Sequence, residues 1–413
     1  MEPRSFLAEL FQKAVAAANP AFGMAAKLPQ KPKGRVVVIG AGKAAHSMVQ
    51  ALENTWDGPL EGVVVTRYGY GGPTQKIELL EASHPVPDQA GVMAAKRILQ
   101  AVSGLQADDL VIALISGGGS ALLPSLPPGL SLEDDQALNE ALLHSGMSIH
   151  DMNCVRKHVS LIKGGRLAKA CYPARVVSFV VSDIPGDDPA LVASGPTIAD
   201  ARGREEAISL IEKYHVPLSP AMRNWLSQAQ ADAPHPDDAI FAKNEVHLIA
   251  SAGLSLAAAQ DFARKQGIMA EIISDAIEGE AAQAGIAHAQ MALGRKGPCL
   301  LLSGGETTVS IQGKAGRGGR NSEFMLGFAL EIAGHDHIVA LAADTDGIDG
   351  SEDNAGAFAD GGSVARMKAK GIDAANMLAC HDAWTAFQAS DDLFITGPTR
   401  TNVNDFRAIW IMN

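Results

Sequence analysis

A chain of 413 residues with 47% hydrophobic and 19% charged side chains has the composition of a soluble globular protein, and its length favours two or three domains. Its net charge of −12, from 34 Lys and Arg against 46 Asp and Glu, argues against nucleic acid or an anionic membrane as a partner, so an anionic substrate needs a local basic pocket. Cys154, Cys171, Cys299 and Cys380 form no CxxC pair, which argues against a disulfide framework or a zinc site and fits a reducing cytoplasm.

The opening segment MEPRSFLAELFQKAVAAANP alternates acids and bases and spaces Phe6, Leu7, Leu10, Phe11 and Val15 along one helix face. That layout is unlike a signal peptide and predicts a docked amphipathic helix. No uninterrupted apolar run is long enough to suggest a membrane span.

The run Val36–Ile39 leads into Gly40-Ala41-Gly42-Lys43-Ala44-Ala45, a GxGxxA turn between a predicted strand and a predicted helix, where backbone N–H groups face an anion. The next predicted strand, GVVVTRYG, ends in Thr66-Arg67 rather than the acid that holds a dinucleotide ribose, although Arg67 is compatible with a 2′-phosphate. Lys43 favours a different chemistry, because a cation at the loop–helix junction stands where charge develops on a transferring phosphoryl group. Further on, LISGGGSALL places Ser116-Gly117-Gly118-Gly119-Ser120 after a buried run, and glycines there let main chain approach a phosphate. Its spacing is not that of a Walker loop.

The segment NCVRKHVSLIKGGRLAKA concentrates Arg156, Lys157, His158, Lys163 and Arg166 in an acidic chain. A helix puts Arg156, Ser160 and Lys163 roughly on one side and ends at Gly164-Gly165, which suits either a solvated face or a basic pocket. Two apolar runs end in acidic turns, SDIPGDD with Asp183, Asp187 and Asp188, and ADTDGIDG with Asp344, Asp346 and Asp349. Carboxylates at strand ends suit Mg²⁺ held partly by phosphate oxygens, or a base that accepts a hydroxyl proton. An EF-hand is excluded in the second turn by Ile348 at the third ligand position. The glycine-rich KAGRGGRNSEFML offers Arg317 and Arg320 ahead of an apolar helix, and TGPTRTNVNDF offers Thr399, Thr401, Asn402, Asn404 and Asp405 as ligand contacts or as caps and turns.

Apolar runs of this kind, buried on both faces, read as parallel strands between helix layers, so the fold class is α/β. The loop-like stretch 214–245 places a boundary near 240, giving a larger N-terminal domain, 1–240, and a smaller C-terminal one, 241–413.

The ordered set GAGKAA, SGGGSALL, VRKHVSLIKGGRLA, SDIPGDDPALVASGPT, SGGETTV, GRGGRNSEF, DTDGIDG and GPTRTNVNDF resembles the two-domain glycerate 2-kinases whose C-terminal half is called the MOFRL domain, over about residues 5–410. The resemblance implies two three-layer α/β/α domains, the first Rossmann-like, with the site in the cleft between them and a tail from about 396 packing back on the first. It also implies ATP-dependent, Mg²⁺-assisted phosphorylation of D-glycerate to 2-phosphoglycerate. Lys43 and Arg320 match the residues most associated with catalysis, and Asp187 joins them as a catalytic candidate. Gly40, Gly42, Ser116, Gly117, Gly118, Gly119, Ser120, Lys157, Asp183, Glu306, Asn321, Thr399, Asn402 and Asn404 are the expected substrate and nucleotide contacts, with Asp346 and Asp349 the expected metal ligands. The expected partners are glycerate and nucleotide, with a homodimer as a candidate assembly. Members of this family are often labelled hydroxypyruvate reductases, so a rival reading is an NAD(P)H-linked reductase that uses Gly40-Ala41-Gly42, Arg67 and His84 as proton donor. A third reading, a sugar-acid sensor, needs the basic pocket but neither Asp187, Asp346 nor Mg²⁺.

Overall fold

The computed structural model describes residues 2–184, 186–311, 316–399 and 401–412. Its chain forms two compact units, Pro20–Ile249 and a second that joins the residues up to Asn19 to those from Ala250 onward.

The first unit is built on β1 (Val36–Ala41), β2 (Glu61–Arg67), β3 (Glu78–Ala82), β4 (Leu110–Ser116), β5 (Arg175–Val181) and β6 (Glu245–Ala250), in the order β3-β2-β1-β4-β5-β6. The pairs β3/β2, β2/β1, β1/β4 and β4/β5 are parallel. Every residue of β1 and β4 is buried, as the unbroken Val/Ile/Leu runs require of strands covered on both faces. One face, carrying Val37, Ile39, Val63, Val111 and Ala113, packs with Ala94, Ala95 and Ile98 of the helix Gln89–Ala101. Strand order reverses between β1 and β4, and in open parallel sheets ligands bind beyond the carboxyl ends at such a point. The loops that begin at Gly42 and Gly117 lie there.

The second unit contains β7 (Ala270–Ile277), β8 (Cys299–Gly305), β9 (Ile338–Asp344), β10 (Gly356–Asp360), β11 (Leu393–Phe394) and β12 (Asp405–Ile411), ordered β11-β10-β9-β12-β8-β7. Period-two alternation divides its strands between two cores: Leu300, Leu302, Val339, Leu341, Phe406 and Ala408 face one, and Leu301, Ile338, Ala340, Ile409 and Ile411 face the other. Helices supply both cores, which makes this unit three layers.

Three features differ from the sequence expectations. The helix Pro3–Ala17 forms as predicted, but its buried Phe6, Leu7, Leu10, Phe11 and Ala14 join the core of the second unit. Phe6 lies 5.0 Å from the Trp410 ring, Phe11 lies 5.8 Å from Phe406, and Arg4 bonds Asp360 and Asp392. Contacts also divide the chain at 249/250 rather than near 240, because β6 completes the first sheet. Finally, the tail supplies a strand, since β12 runs antiparallel between β8 and β9 in the middle of the second sheet, making that sheet mixed. Among the described residues no helix is long and apolar enough to cross a membrane.

Candidate active-site residues in the two units

In the first unit the two glycine loops are stitched together. The Lys43 N–H donates to the Gly117 carbonyl at 2.8 Å, and the Ala44 N–H donates to Ser116 Oγ at 3.1 Å. Gly42 has φ of 140°, and a Cβ there would stand 2.1 Å from Ser116 Oγ, so no side chain fits between the loops. Gly118, at φ 79°, leaves open the space between two functional groups: a Cβ there would lie 3.0 Å from His84 Cδ2 and 3.2 Å from Lys43 Cγ. The same test brings Asp183 against Gly117, Ala193 against Gly119, and the Leu114 carbonyl against Gly40. Gly40, Gly42, Lys43, Ser116, Gly117, Gly118, Gly119 and Asp183 therefore gather at the ends of β1, β4 and β5, as their positions after predicted strands suggested.

In the second unit Arg320 opens the helix Arg320–Glu331 and is surrounded by carboxylates. Its Nε donates to Asp405 Oδ1 at 2.7 Å, Nη1 to Glu306 Oε1 at 2.7 Å, and Nη2 to Asp344 Oδ2 at 2.8 Å. Burial opposes its charge, but Asp405, Asp344 and Glu306 together hold the guanidinium pKa above its ordinary value. Asp344, at the end of β9, is pushed well above the usual carboxylate range by burial and then by neighbouring Asp346. Asp405, at the start of β12, also accepts from Asn321 Nδ2 at 2.7 Å and from Arg407 Nη2 at 2.6 Å. Arg407 is wholly buried, over the Phe324 ring at 4.7 Å. A cavity of about 280 Å³ opens beside this network, lined in part by Thr307, Arg320, Glu323, Asp344 and His381.

The remaining acids and amides behave differently. Asp349 Oδ1 accepts the Asn321 N–H at 2.8 Å, and its Oδ2 accepts the Ser322 N–H at 2.7 Å, so both oxygens satisfy the first turn of the helix after Arg320. That use of Asp349 departs from the expected metal ligand. Asp346 Oδ1 accepts the Ile348 N–H at 2.8 Å, and the Asp346 carbonyl accepts the Thr399 N–H at 2.9 Å. Asn402 Oδ1 accepts the Asn404 N–H at 3.0 Å, while the Asn404 carbonyl accepts from Thr345 Oγ1 at 2.6 Å. Thr399, Asn402 and Asn404 thus brace the acidic turn after β9. Among the described residues no three His, Cys, Asp or Glu side chains are grouped to hold a metal by themselves.

Two family models match successive parts of the chain. Residues 6–227 match the family model "Domain of unknown function (DUF4147)", and residues 299–405 match "MOFRL family". A chain from Agrobacterium vitis whose name proposes a hydroxypyruvate reductase is 47% identical, covering 99% of this chain and 94% of that one. The D-glycerate 2-kinase of Thermotoga maritima is 38% identical, with 96% and 95% covered. A crystal structure of glycerate kinase from the same organism superposes with a TM-score of 0.90 at 37% identity, covering 99% of both chains. The chain belongs to the two-domain glycerate kinase family. It is a phosphotransferase of the α/β class.

Other expected residues, Lys157, Asp187 and Arg317, make contacts of their own. Lys157 is 1% exposed and its ammonium pairs with Asp200 at 2.5 Å, which turns it away from a ligand role. Asp187 lies in the turn after β5 with φ of 53°, its N–H bonded to the Ile184 carbonyl at 3.3 Å. Pro185 beside it, and Lys314 ahead of Arg317, lie outside the described residues. Arg317, expected to reach for phosphates, stacks on Trp384 at 3.6 Å and pairs with Glu352 at 2.5 Å.

Sequence reasoning linked His84 only to hydride transfer, yet it is a neighbour of Lys43. Burial, and then the charges of Lys43 and Arg67, push its imidazole from 6.5 down to about 4. The folded form is therefore neutral at pH 7. Between those two values the unfolded chain binds the proton and the folded one does not, so stability falls as pH drops from about 6.5 towards 4. NMR titration of the His84 ring should give a midpoint near 4, and a midpoint near the free value contradicts the burial argument.

Proposed function

We propose that the protein is a D-glycerate 2-kinase that transfers the terminal phosphoryl group of ATP to the 2-hydroxyl of D-glycerate. The observation that carries this reading is Lys43 seated between two glycine loops at the reversal point of a parallel sheet, with Gly118 leaving space beside its side chain. Phosphoryl transfer asks the protein chiefly for positioning and for cations where charge develops. Lys43 and Arg320 are the cations assigned to that work. The loop 117–119 is the nucleotide or phosphate contact, and Asp187 is the group assigned to take the acceptor proton.

Mg²⁺, when bound, would neutralise phosphate charge. The residues fit a metal held mainly by substrate oxygens, since such sites need only one or two carboxylates, and Asp346 keeps its second oxygen free of hydrogen bonds among the described residues. Activity should vanish in EDTA and return with added Mg²⁺. Phosphorus NMR of the product formed from D-glycerate and ATP should show the 2-phosphate. Full turnover in EDTA, or a 3-phosphate product, overturns the assignment.

A second reading, an NAD(P)H-dependent hydroxypyruvate reductase, is favoured by the names of two Agrobacterium vitis relatives. It calls for a protonated donor at His84, whereas burial keeps that ring neutral at pH 7. Oxidation of NAD(P)H with hydroxypyruvate, run beside the kinase assay, separates the two.

A further inference from the structure

The basic segment after residue 152 contains a cation that the proposed transfer leaves unused. Lys163 is 3% exposed, and among the described residues its Nζ makes no hydrogen bond and no close ion pair. Its backbone is fixed by Ser160 Oγ, which accepts the Lys163 N–H at 3.3 Å, and by the next N–H, of Gly164, which donates to the Ser194 carbonyl at 3.0 Å.

Ser194 connects this point to the glycine loop. Its hydroxyl donates to Asn153 Oδ1 at 3.0 Å, so the Ser120 hydroxyl, 3.0 Å away, donates to Ser194. Asn153 Oδ1 also accepts from Arg156 Nη1 at 3.3 Å, and Arg156 Nε donates to Asn139 Oδ1 at 2.8 Å. Both partners of the Arg156 guanidinium are thus neutral amides. Ala193 and Ser194 hold φ of 54° and 60°, an unusual backbone for two residues with side chains.

The charges in this pocket do not balance. Among the described residues, Asp135, with one carboxylate oxygen buried and unpartnered, is the acid that acts on both Arg156 and Lys163. Two cations against one carboxylate leave one positive charge in excess where a charge without a partner is costly. A small monoanion placed between them would complete the pocket.

Resting on the kinase reading, we propose that Lys163 and Arg156 bind the carboxylate of the acceptor hydroxy acid, next to the loop residue Ser120 through Ser194 and Asn153. Burial supports this role, because it pushes the Lys163 ammonium below its ordinary range and an arriving carboxylate would restore it. Lys157, one position from Arg156, cannot serve because Asp200 already neutralises it. The chemistry selects a carboxylate over a neutral polyol or amide of the same length.

The test compares wild type with Lys163→Met and Lys163→Arg. Calorimetry with D-glycerate and no nucleotide reads binding apart from catalysis, and kinetics use D-glycerate beside D-glyceramide, which keeps the hydroxyls and lacks the charge. Loss of a hydrogen-bonded charge contact should raise the Kd and KM for D-glycerate about 10- to 100-fold in Lys163→Met, with the KM for ATP and the melting temperature little changed. The wild-type preference for acid over amide should collapse in Lys163→Met and partly return in Lys163→Arg. If Lys163→Met keeps that preference and affinity while the enzyme still phosphorylates glycerate, the pocket assignment is wrong and the kinase reading stands. If wild type binds D-glycerate through Lys163 but transfers no phosphate, the kinase reading fails and the carboxylate site stands. If Lys163→Met melts far below wild type, Ser194→Ala carries the same calorimetric comparison, and unchanged acid binding there overturns the proposal.

Discussion

Asp405→Ala is expected to destabilise the second unit by about 3–5 kcal/mol, the cost typical of leaving a buried charge without its partner. Asp405 is 2% exposed and joins Arg320, Asn321 and Arg407 through bonds of 2.7, 2.7 and 2.6 Å. Without it the hydrogen bonds left to Arg407, itself 1% exposed, are among the described residues those to Thr307 Oγ1 at 3.1 Å and to the Gly304 carbonyl at 3.4 Å. Asp405 also begins the central strand β12, so the loss falls where β8 and β9 are held together. Urea unfolding followed by circular dichroism measures the effect. A loss below about 1 kcal/mol would mean that water reaches Arg407 and that the network is dispensable.

Lys43→Ala is expected to lower turnover about 100-fold or more while changing the KM for glycerate little. One preorganised charge contact aimed at the transition state is worth that much, and an interaction made chiefly there appears in kcat. Loss of the side chain should leave the fold intact, because the stitching between loops uses the Lys43 N–H and not its ammonium. Steady-state kinetics with both substrates varied reads the split. Turnover near wild type would remove Lys43 from the transfer step.

Which parts of this were legible in the residues follows from how local their causes are. The loops at Gly42 and Gly117 are readable because each follows an unbroken apolar strand, and strand order then brings their ends together without further information. Arg320 is readable only by resemblance, since its partners Asp405 and Asp344 are 85 and 24 positions away and meet it through sheet register. β12 hides its nature because Arg407 interrupts an otherwise apolar run, and only pairing with Asp405 makes that charge tolerable in a central strand. In Asp349 the residue type suited a metal as well as a helix terminus, and the choice was made by Asn321 and Ser322. His84 was visible as a titratable group, but its closeness to Lys43 depends on a crossover that periodicity does not encode.

The helix Pro3–Ala17 and the strand β12 also set an order of events during synthesis. The apolar stripe of Phe6, Leu7, Leu10 and Phe11 leaves the ribosome before any strand of the sheet that covers it has been made, and β12, which closes that sheet between β8 and β9, is made last. At about 5–20 residues per second, the stripe waits roughly 20 to 80 seconds for β12. Pro20–Ile249, a compact unit made of one continuous stretch, is complete well earlier. Until β12 is made, the stripe lacks the closed sheet that buries it.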